Sequence, residues 1–262
     1  MKFKVFFFDI DGTLTDDRTH QIVPSAKVAI RCLQEAGHFV AIATGRMHYK
    51  TVDVARELGI HHFVCAGGGC LVLNDEIISN ETLDAELVHD YLKEADRHHL
   101  GYLLLREDND SVEFKDFRFL EQAGLRKELT TYHYRPGLEI FSLRDIYKIY
   151  LAVQKEDEKK YPWIESLGHL RMSRDYIVVQ YDKKNEGIRN LLQVIQAKPD
   201  QVVVFGDGNN DKVMFEPDYF KVAMGNGESA LKEMADYVAD CSYHDGIYKT
   251  CMHFGWFEKV ED

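Results

Sequence analysis

Val5-Phe6-Phe7-Phe8 leaves a strand no polar side. Successive side chains on a strand point to opposite faces. A run that is apolar at every position must therefore be covered on both faces, as strands are inside a parallel sheet flanked by helices. The neighbouring sequence agrees. Pro24, Ser25 and Gly37 punctuate a predicted helix over 25–36 with Ser25 as its N-cap, and residues 39–44, FVAIAT, supply a second apolar strand. This βαβ unit predicts an α/β fold, a doubly wound parallel sheet with helices on both faces. A helix near 48–58 stopped by Gly59 and a strand at 62–66 continue the pattern. It resumes late in the chain with a helix near 185–196, strands at 201–207 and 221–224, a helix over 228–235 and a short strand at 237–239.

Residues 81–182 follow a different rhythm. A predicted helix over 82–98 precedes two strand-like runs, GYLLLR and SVEFKD, joined through Asp108, Asn109 and Asp110 as a hairpin. DIYKIYLAV reads as a strand, 157–167 as a helix, and HLRMS with DYIVVQYD as a further hairpin. TYHYRPG, residues 131–137, reads as a loop in which His133 and Arg135 are candidates to line a pocket. The expected organisation is an α/β core from residues 1–80 and 183–262, with an α+β module over 81–182 inserted into it.

The 262 residues carry 32 basic and 44 acidic side chains, a net charge of -12 that opposes binding to nucleic acid or an anionic membrane. The five cysteines are an odd number, widely spaced and without a C-x-x-C pair, which fits reduced thiols. The apolar run at the N-terminus is too short for a signal peptide. No segment approaches the roughly 18 apolar residues of a membrane span. A cytoplasmic protein is expected.

The chemistry is carried by acids at strand ends. Asp9 and Asp11 follow the first apolar run, and side chains two apart on a strand share a face. VVVFGDGNND, residues 202–211, repeats the device with Asp207 and Asp211. Carboxylates gathered at the carboxyl edge of one parallel sheet repel one another unless a cation intervenes, so a metal site is expected there. Thr44-Gly45-Arg46, at the end of FVAIA, places a hydroxyl and backbone N–H groups where a phosphate could bind. KVAMGNGESALKEMA imitates a dinucleotide fingerprint, but too little chain follows it to complete a nucleotide-binding half.

DIDGTLTDD, ATGR and GDGNND, in this order and at strand ends, resemble motifs of the haloacid dehalogenase superfamily. The inserted module resembles the cap of its Cof-type subfamily, and AMGNG…ADYVAD…DGIY that group's closing segment. The resemblance spans essentially the whole chain. It implies a Mg²⁺-dependent phosphatase in which Asp9 is the nucleophile and Asp11 the acid/base. Mg²⁺ would be held by the Asp9 carboxylate, the Asp11 backbone carbonyl and Asp207, with Asp211 in support. Ile10, Gly12, Thr44, Gly45 and Asn210 would contact phosphate. The family's motif lysine stands just before a helix-opening glycine, where this chain has Glu186 before Gly187. Lys183 is taken as its replacement, the alternatives being Lys184 or, with both lysines solvated, neutralisation of phosphate by Mg²⁺ and backbone N–H groups. In CAGGGC, Gly67, Gly68 and Gly69 stand where relatives commonly have Asn-Gly-Ala. A small phosphorylated metabolite such as a sugar phosphate is the implied substrate, read by cap residues among Arg106, Arg118, Arg135 and Arg174. A phosphomutase or phosphotransferase and a non-catalytic phosphometabolite sensor remain as alternatives.

Overall fold

The computed structural model describes residues 2–258. The chain divides into two compact units, one built from residues up to Asn80 and from Lys183 onward, the other from Glu81–Asp182.

The first unit is an α/β sheet. Its first segment runs β1 (Val5–Phe8), α1 (Pro24–Glu35), β2 (Phe39–Ala43), α2 (His48–Leu58), β3 (Phe63–Cys65), β4 (Cys70–Leu73) and β5 (Glu76–Asn80). The second unit holds α3 (Ala85–Arg97), β6 (Tyr102–Leu105), β7 (Ser111–Phe114), α4 (Arg118–Ala123), β8 (Thr131–Tyr134), β9 (Lys148–Ala152), β10 (Leu170–Arg171) and β11 (Tyr176–Val179). The chain then returns to the first unit with α5 (Lys184–Val194), β12 (Val202–Gly206), β13 (Phe220–Ala223), α6 (Ser229–Lys232), β14 (Tyr237–Val238) and α7 (Gly246–His253). The first sheet has the order β14-β13-β12-β1-β2-β3-β4-β5 and is parallel from β14 to β3. All four side chains of β1 are fully buried, as its composition requires. From β1 the chain winds outward to β3, then returns as β12 on the other flank of β1. The topological switch therefore lies between β1 and β12, where open parallel sheets bind ligands beyond their carboxyl ends.

The second unit has a six-stranded sheet of order β10-β11-β9-β6-β7-β8, antiparallel except for β7 with β8. One face packs α3 through Val88, Tyr91, Leu92 and Ala95 onto Leu104, Ile149, Leu151 and Ile177, a core of its own.

Several local expectations change. Pro24 is the first helical residue of α1 and Val23 its N-cap, so Ser25 lies inside the helix; proline's missing N–H and fixed φ suit that first position. The segment 157–167 is two tight turns, Glu158–Lys160 and Pro162–Leu167, rather than one helix, because Pro162 cannot donate to a preceding turn. Residues 131–134 form a strand, β8, paired in parallel with β7 as a sheet edge. The helix expected over 228–235 is the short α6; the Asp236 N–H bonds Lys221 O and draws the chain towards β14. Asn74 and Asp75, both at positive φ, turn β4 into the antiparallel β5, a hairpin that the apolar runs alone do not announce. Among the described residues no disulfide forms, four of the five cysteines are buried, and no helix is long and apolar enough to cross a membrane.

Candidate active site

Asp9 is the residue that follows β1, at the switch. Its N–H bonds Phe205 O of β12 (3.0 Å), which ties the ends of the two strands together. Its carboxylate is buried and does not stand alone. Lys184 Nζ donates to Asp9 Oδ1 and to Asp211 Oδ1, both at 2.7 Å, and the lysine side chain is 1% exposed. Asp211 Oδ2 accepts the N–H groups of Asp207 and Gly208 (3.0 Å each), which shapes the turn after β12. Asp207 Oδ1 accepts from the Thr13 hydroxyl (3.1 Å). Ligand oxygens of Asp9, Asp207 and Asp211 lie within 4.8 Å of one another.

Burial and the neighbouring Asp211 charge hold the Asp9 carboxyl well above its usual range, against the pull of Lys184. The same two causes push Asp207 up to about 7. Burial alone would lower Lys184, but Asp211 and Asp9 more than offset it, so the ammonium stays charged. Three carboxylates and one ammonium leave the buried cluster short of positive charge, and its donors are all hard oxygens. That set fits a divalent cation such as Mg²⁺.

Asp11 does not share Asp9's position. β1 ends at Phe8 and the chain turns at residues 10–14, with Gly12 at φ +79°, so the two-residue period of a strand no longer applies. Asp11 is 57% exposed, outside the acidic cluster, and is gripped by Arg46: Nη2 to Oδ1 at 2.5 Å and Nε to Oδ2 at 3.0 Å. The Asp11 carboxylate is thus apart from the three that gather, while the contact expected of Asp11 with a metal is through its backbone carbonyl. Gly12 is required twice over, by its positive φ and because a Cβ there would run into the Asp207 carboxylate. The Gly12 N–H is directed at Thr15 Oγ1 (3.3 Å), and the Ile10 carbonyl accepts from Thr15 N and Oγ1 (3.0 Å each).

Thr44 is buried at the end of β2, where its Oγ1 accepts the Arg46 N–H (3.1 Å) and its carbonyl accepts from Gly67. Gly45 and Asn210 are half-buried in the turns after β2 and β12. Lys183 is not the lysine brought to the carboxylates. It is the N-cap of α5, its side chain is 55% exposed, and its ammonium lies 3.3 Å from Glu186. Lys184, the first helical residue, shares the buried face of α5 with Gly187, Ile188 and Leu191. Those offsets of three, four and seven from Lys184 were a signal available in the sequence. Gly68 passes so close to the Lys183 carbonyl that a Cβ would not fit, which seats the CAGGGC turn against α5.

Sequence reasoning missed two supports. Asn226 Nδ2 donates to Gly12 O (2.8 Å) while its Oδ1 accepts from Ser242 N (2.8 Å). The Glu228 N–H bonds Asp207 O (2.8 Å), with Gly227 packed against the Asp207 backbone. Of the two glycines of MGNG, Gly227 therefore serves the acidic turn, while Gly225 packs against the backbone of residues 239–241.

In the second unit, Arg106 is forked onto Asp145 and also bonds Glu113, Arg118 holds Asp116 and Asp96, and Arg174 pairs with Glu156. Arg106 and Arg135 line a cavity of about 620 Å³ with Tyr134 and Glu113. Glu158, Glu165 and His169 also stand close enough for a cation, but Arg171 already fills the Glu158 carboxylate from 2.6 Å.

A model of the haloacid dehalogenase-like hydrolase family matches residues 6–250. YkrA of Bacillus subtilis, which carries a phosphatase name, is 32% identical over 259 residues, covering 97% of this chain and 99% of its own. A phosphoglycolate phosphatase of Methanothermobacter thermautotrophicus is 27% identical over 251 residues, 95% of this chain and 97% of its own. Among solved structures, the subclass IIB sugar phosphatase BT4131 superposes with a TM-score of 0.77 at 25% identity, covering 97% of this chain and all of its own.

Proposed function

We propose the following chemistry for this chain, which belongs to the haloacid dehalogenase-like hydrolases and is a phosphoric monoester hydrolase: Mg²⁺-dependent hydrolysis of small phosphorylated metabolites, sugar phosphates among them, through an aspartyl-phosphate on Asp9. The observation that carries it is the buried Asp9 carboxylate at the β1–β12 switch, held by Lys184 on one oxygen beside Asp207 and Asp211.

Lys184 takes Asp9 Oδ1, and Oδ2 is assigned to attack phosphorus in line with the ester oxygen. The leaving oxygen takes its proton from Asp11, which becomes a carboxylate. Water then adds to phosphorus of the aspartyl-phosphate, giving its proton back to Asp11 and releasing phosphate and the Asp9 carboxylate. Both steps balance, and Asp11 ends as it began. Thr44 and the backbone around Gly45 and Asn210 are assigned to the phosphoryl oxygens. Lys184 pulls the Asp9 carboxyl towards its ionised form, against burial and Asp211, and offsets charge on the transferring group. Asp9 and Asp207 would hold Mg²⁺ together with the Asp11 carbonyl, with Asp211 supporting them; the bound ion supplies neutralisation of phosphoryl charge. Substrate selection is assigned to the α+β unit, since the core residues named here are spent on the phosphoryl group. The likeness to a sugar phosphatase and a phosphoglycolate phosphatase supports small metabolites as the class.

The test is release of inorganic phosphate from a panel of sugar phosphates, phosphoglycolate and p-nitrophenyl phosphate, with Mg²⁺ or EDTA, by wild type and Asp9→Asn. Turnover that needs Mg²⁺ and disappears in Asp9→Asn is expected. Turnover that survives Asp9→Asn would remove Asp9 as nucleophile.

A further inference from the structure

Asp11 is more than half exposed, on a turn, and outside the buried cluster that fixes Asp9, Asp207 and Asp211. A short exposed carboxylate would ordinarily sample several rotamers. Here both oxygens are taken by one guanidinium, in the two-point fork that only arginine offers. Arg46 itself stands on a fixed base. Its N–H is bonded to Thr44 Oγ1 and its carbonyl accepts from Ala66 N at 2.6 Å. One residue thus joins the turn after β2 to the turn after β1.

We infer that Arg46 is the positioning residue for Asp11, orienting its carboxyl for proton transfer to the leaving group rather than binding the phosphoryl group itself. The inference rests on the phosphatase reading above. A protonated Asp11 carries its proton on one oxygen and keeps the other as an acceptor. One arm of the fork can therefore persist while the protonated oxygen meets the leaving group. Misplacement of a reacting group by about 1 Å costs on the order of 10²-fold, and general acid catalysis as a whole contributes roughly 10²–10⁴-fold. Loss of the fork should fall inside that range, and only where the leaving group needs a proton.

That condition separates the roles. An alkoxide leaving from glycerol phosphate needs protonation, whereas p-nitrophenolate leaves without it. The ratio of kcat/KM for these two substrates reports the first chemical step alone, so Asp11's later action on water does not blur it. For Arg46→Met, the fall on glycerol phosphate should exceed the fall on p-nitrophenyl phosphate by roughly 10²-fold or more. Asp11→Asn should show the same selectivity, and the double variant should add little to either single one. Arg46→Lys, which cannot fork, should lie between Met and wild type, and thermal unfolding of each variant confirms folding. Equal losses on both esters would mean that Arg46 clamps the phosphoryl group, and no loss on either would mean that the fork is idle; each overturns the inference while leaving the phosphatase intact. No turnover of either ester by the wild type would remove the phosphatase reading and this inference with it.

Discussion

Lys184 is held by two carboxylates with its side chain 1% exposed, and Lys183, one residue earlier, is more than half exposed beside Glu186. Replacing Lys184 with methionine keeps the volume and removes the charge, leaving Asp9 and Asp211 uncompensated. The expected cost is about 3–5 kcal/mol in urea unfolding without Mg²⁺, with kcat/KM down by roughly 10²–10³-fold. Lys183→Met should leave both within a few-fold; the reverse ranking would restore Lys183 to the site. Gly12→Ala meets both a left-handed backbone and the Asp207 carboxylate. It should cost about 1–3 kcal/mol and weaken Mg²⁺ binding by calorimetry. A wild-type titration would show that the turn tolerates a side chain. The acids of the two strand ends were legible because each lies next to an unmistakable apolar run. The choice between two adjacent lysines depended on the phase of α5, and the separation of Asp11 from Asp9 on where β1 stops. Neither follows from a motif's spelling.

The ends of the core strands are fastened by a histidine. The His38 ring, just before β2, accepts the Lys4 N–H at Nδ1 (3.2 Å) and so donates from Nε2 to Trp256 O (2.9 Å), beyond α7. The Phe6 ring meets the imidazole edge-on (5.3 Å between centroids) and packs in turn against Trp256. Burial holds the imidazole below its ordinary value of about 6.5. As pH falls the unfolded chain therefore takes up the proton first. The stability this residue contributes is complete above about 6.5 and is lost as pH drops from there through the lower folded value, by at most about 1.4 kcal/mol per unit. Between pH 7.5 and 5.5 the urea midpoint of His38→Gln should fall less than that of the wild type; parallel declines would mean that His38 carries none of the dependence. Among elements, the parallel strands were readable from their unbroken apolar runs. The β4–β5 hairpin and the edge strand β8 were not, since half-exposed residues such as Thr131 and His133 take on strand geometry only by pairing with a neighbour.

For the molecule as a whole, the sequence changes rhythm near residue 81 and again near 182, because helices that alternate with parallel strands and strands that pair as hairpins leave different periods. The chain is compact on either side of those positions. What the sequence withheld is how the second unit closes on itself. Its central strands β6 and β9 pair across more than forty residues, and β8 joins β7 in parallel, contacts that no local pattern encodes. The unit has what independent folding requires: α3 begins at a true N-cap, with Asp84 accepting from the N–H groups of Glu86 and Leu87 (3.0 Å each), and Tyr91, Leu92, Leu104, Leu151 and Ile177 form a buried core drawn from its own elements. Residues 81–182 expressed alone should therefore show a cooperative urea transition and dispersed amide resonances. In that fragment, Asp84→Ala should lower stability by about 0.5–2 kcal/mol, which places the helix cap inside the same cooperative unit. A fragment without a transition would mean that the insertion needs the α/β core to hold its fold. The division of labour proposed here, with phosphoryl chemistry in one unit and substrate selection in the other, would then lose its physical basis as two separately evolvable parts.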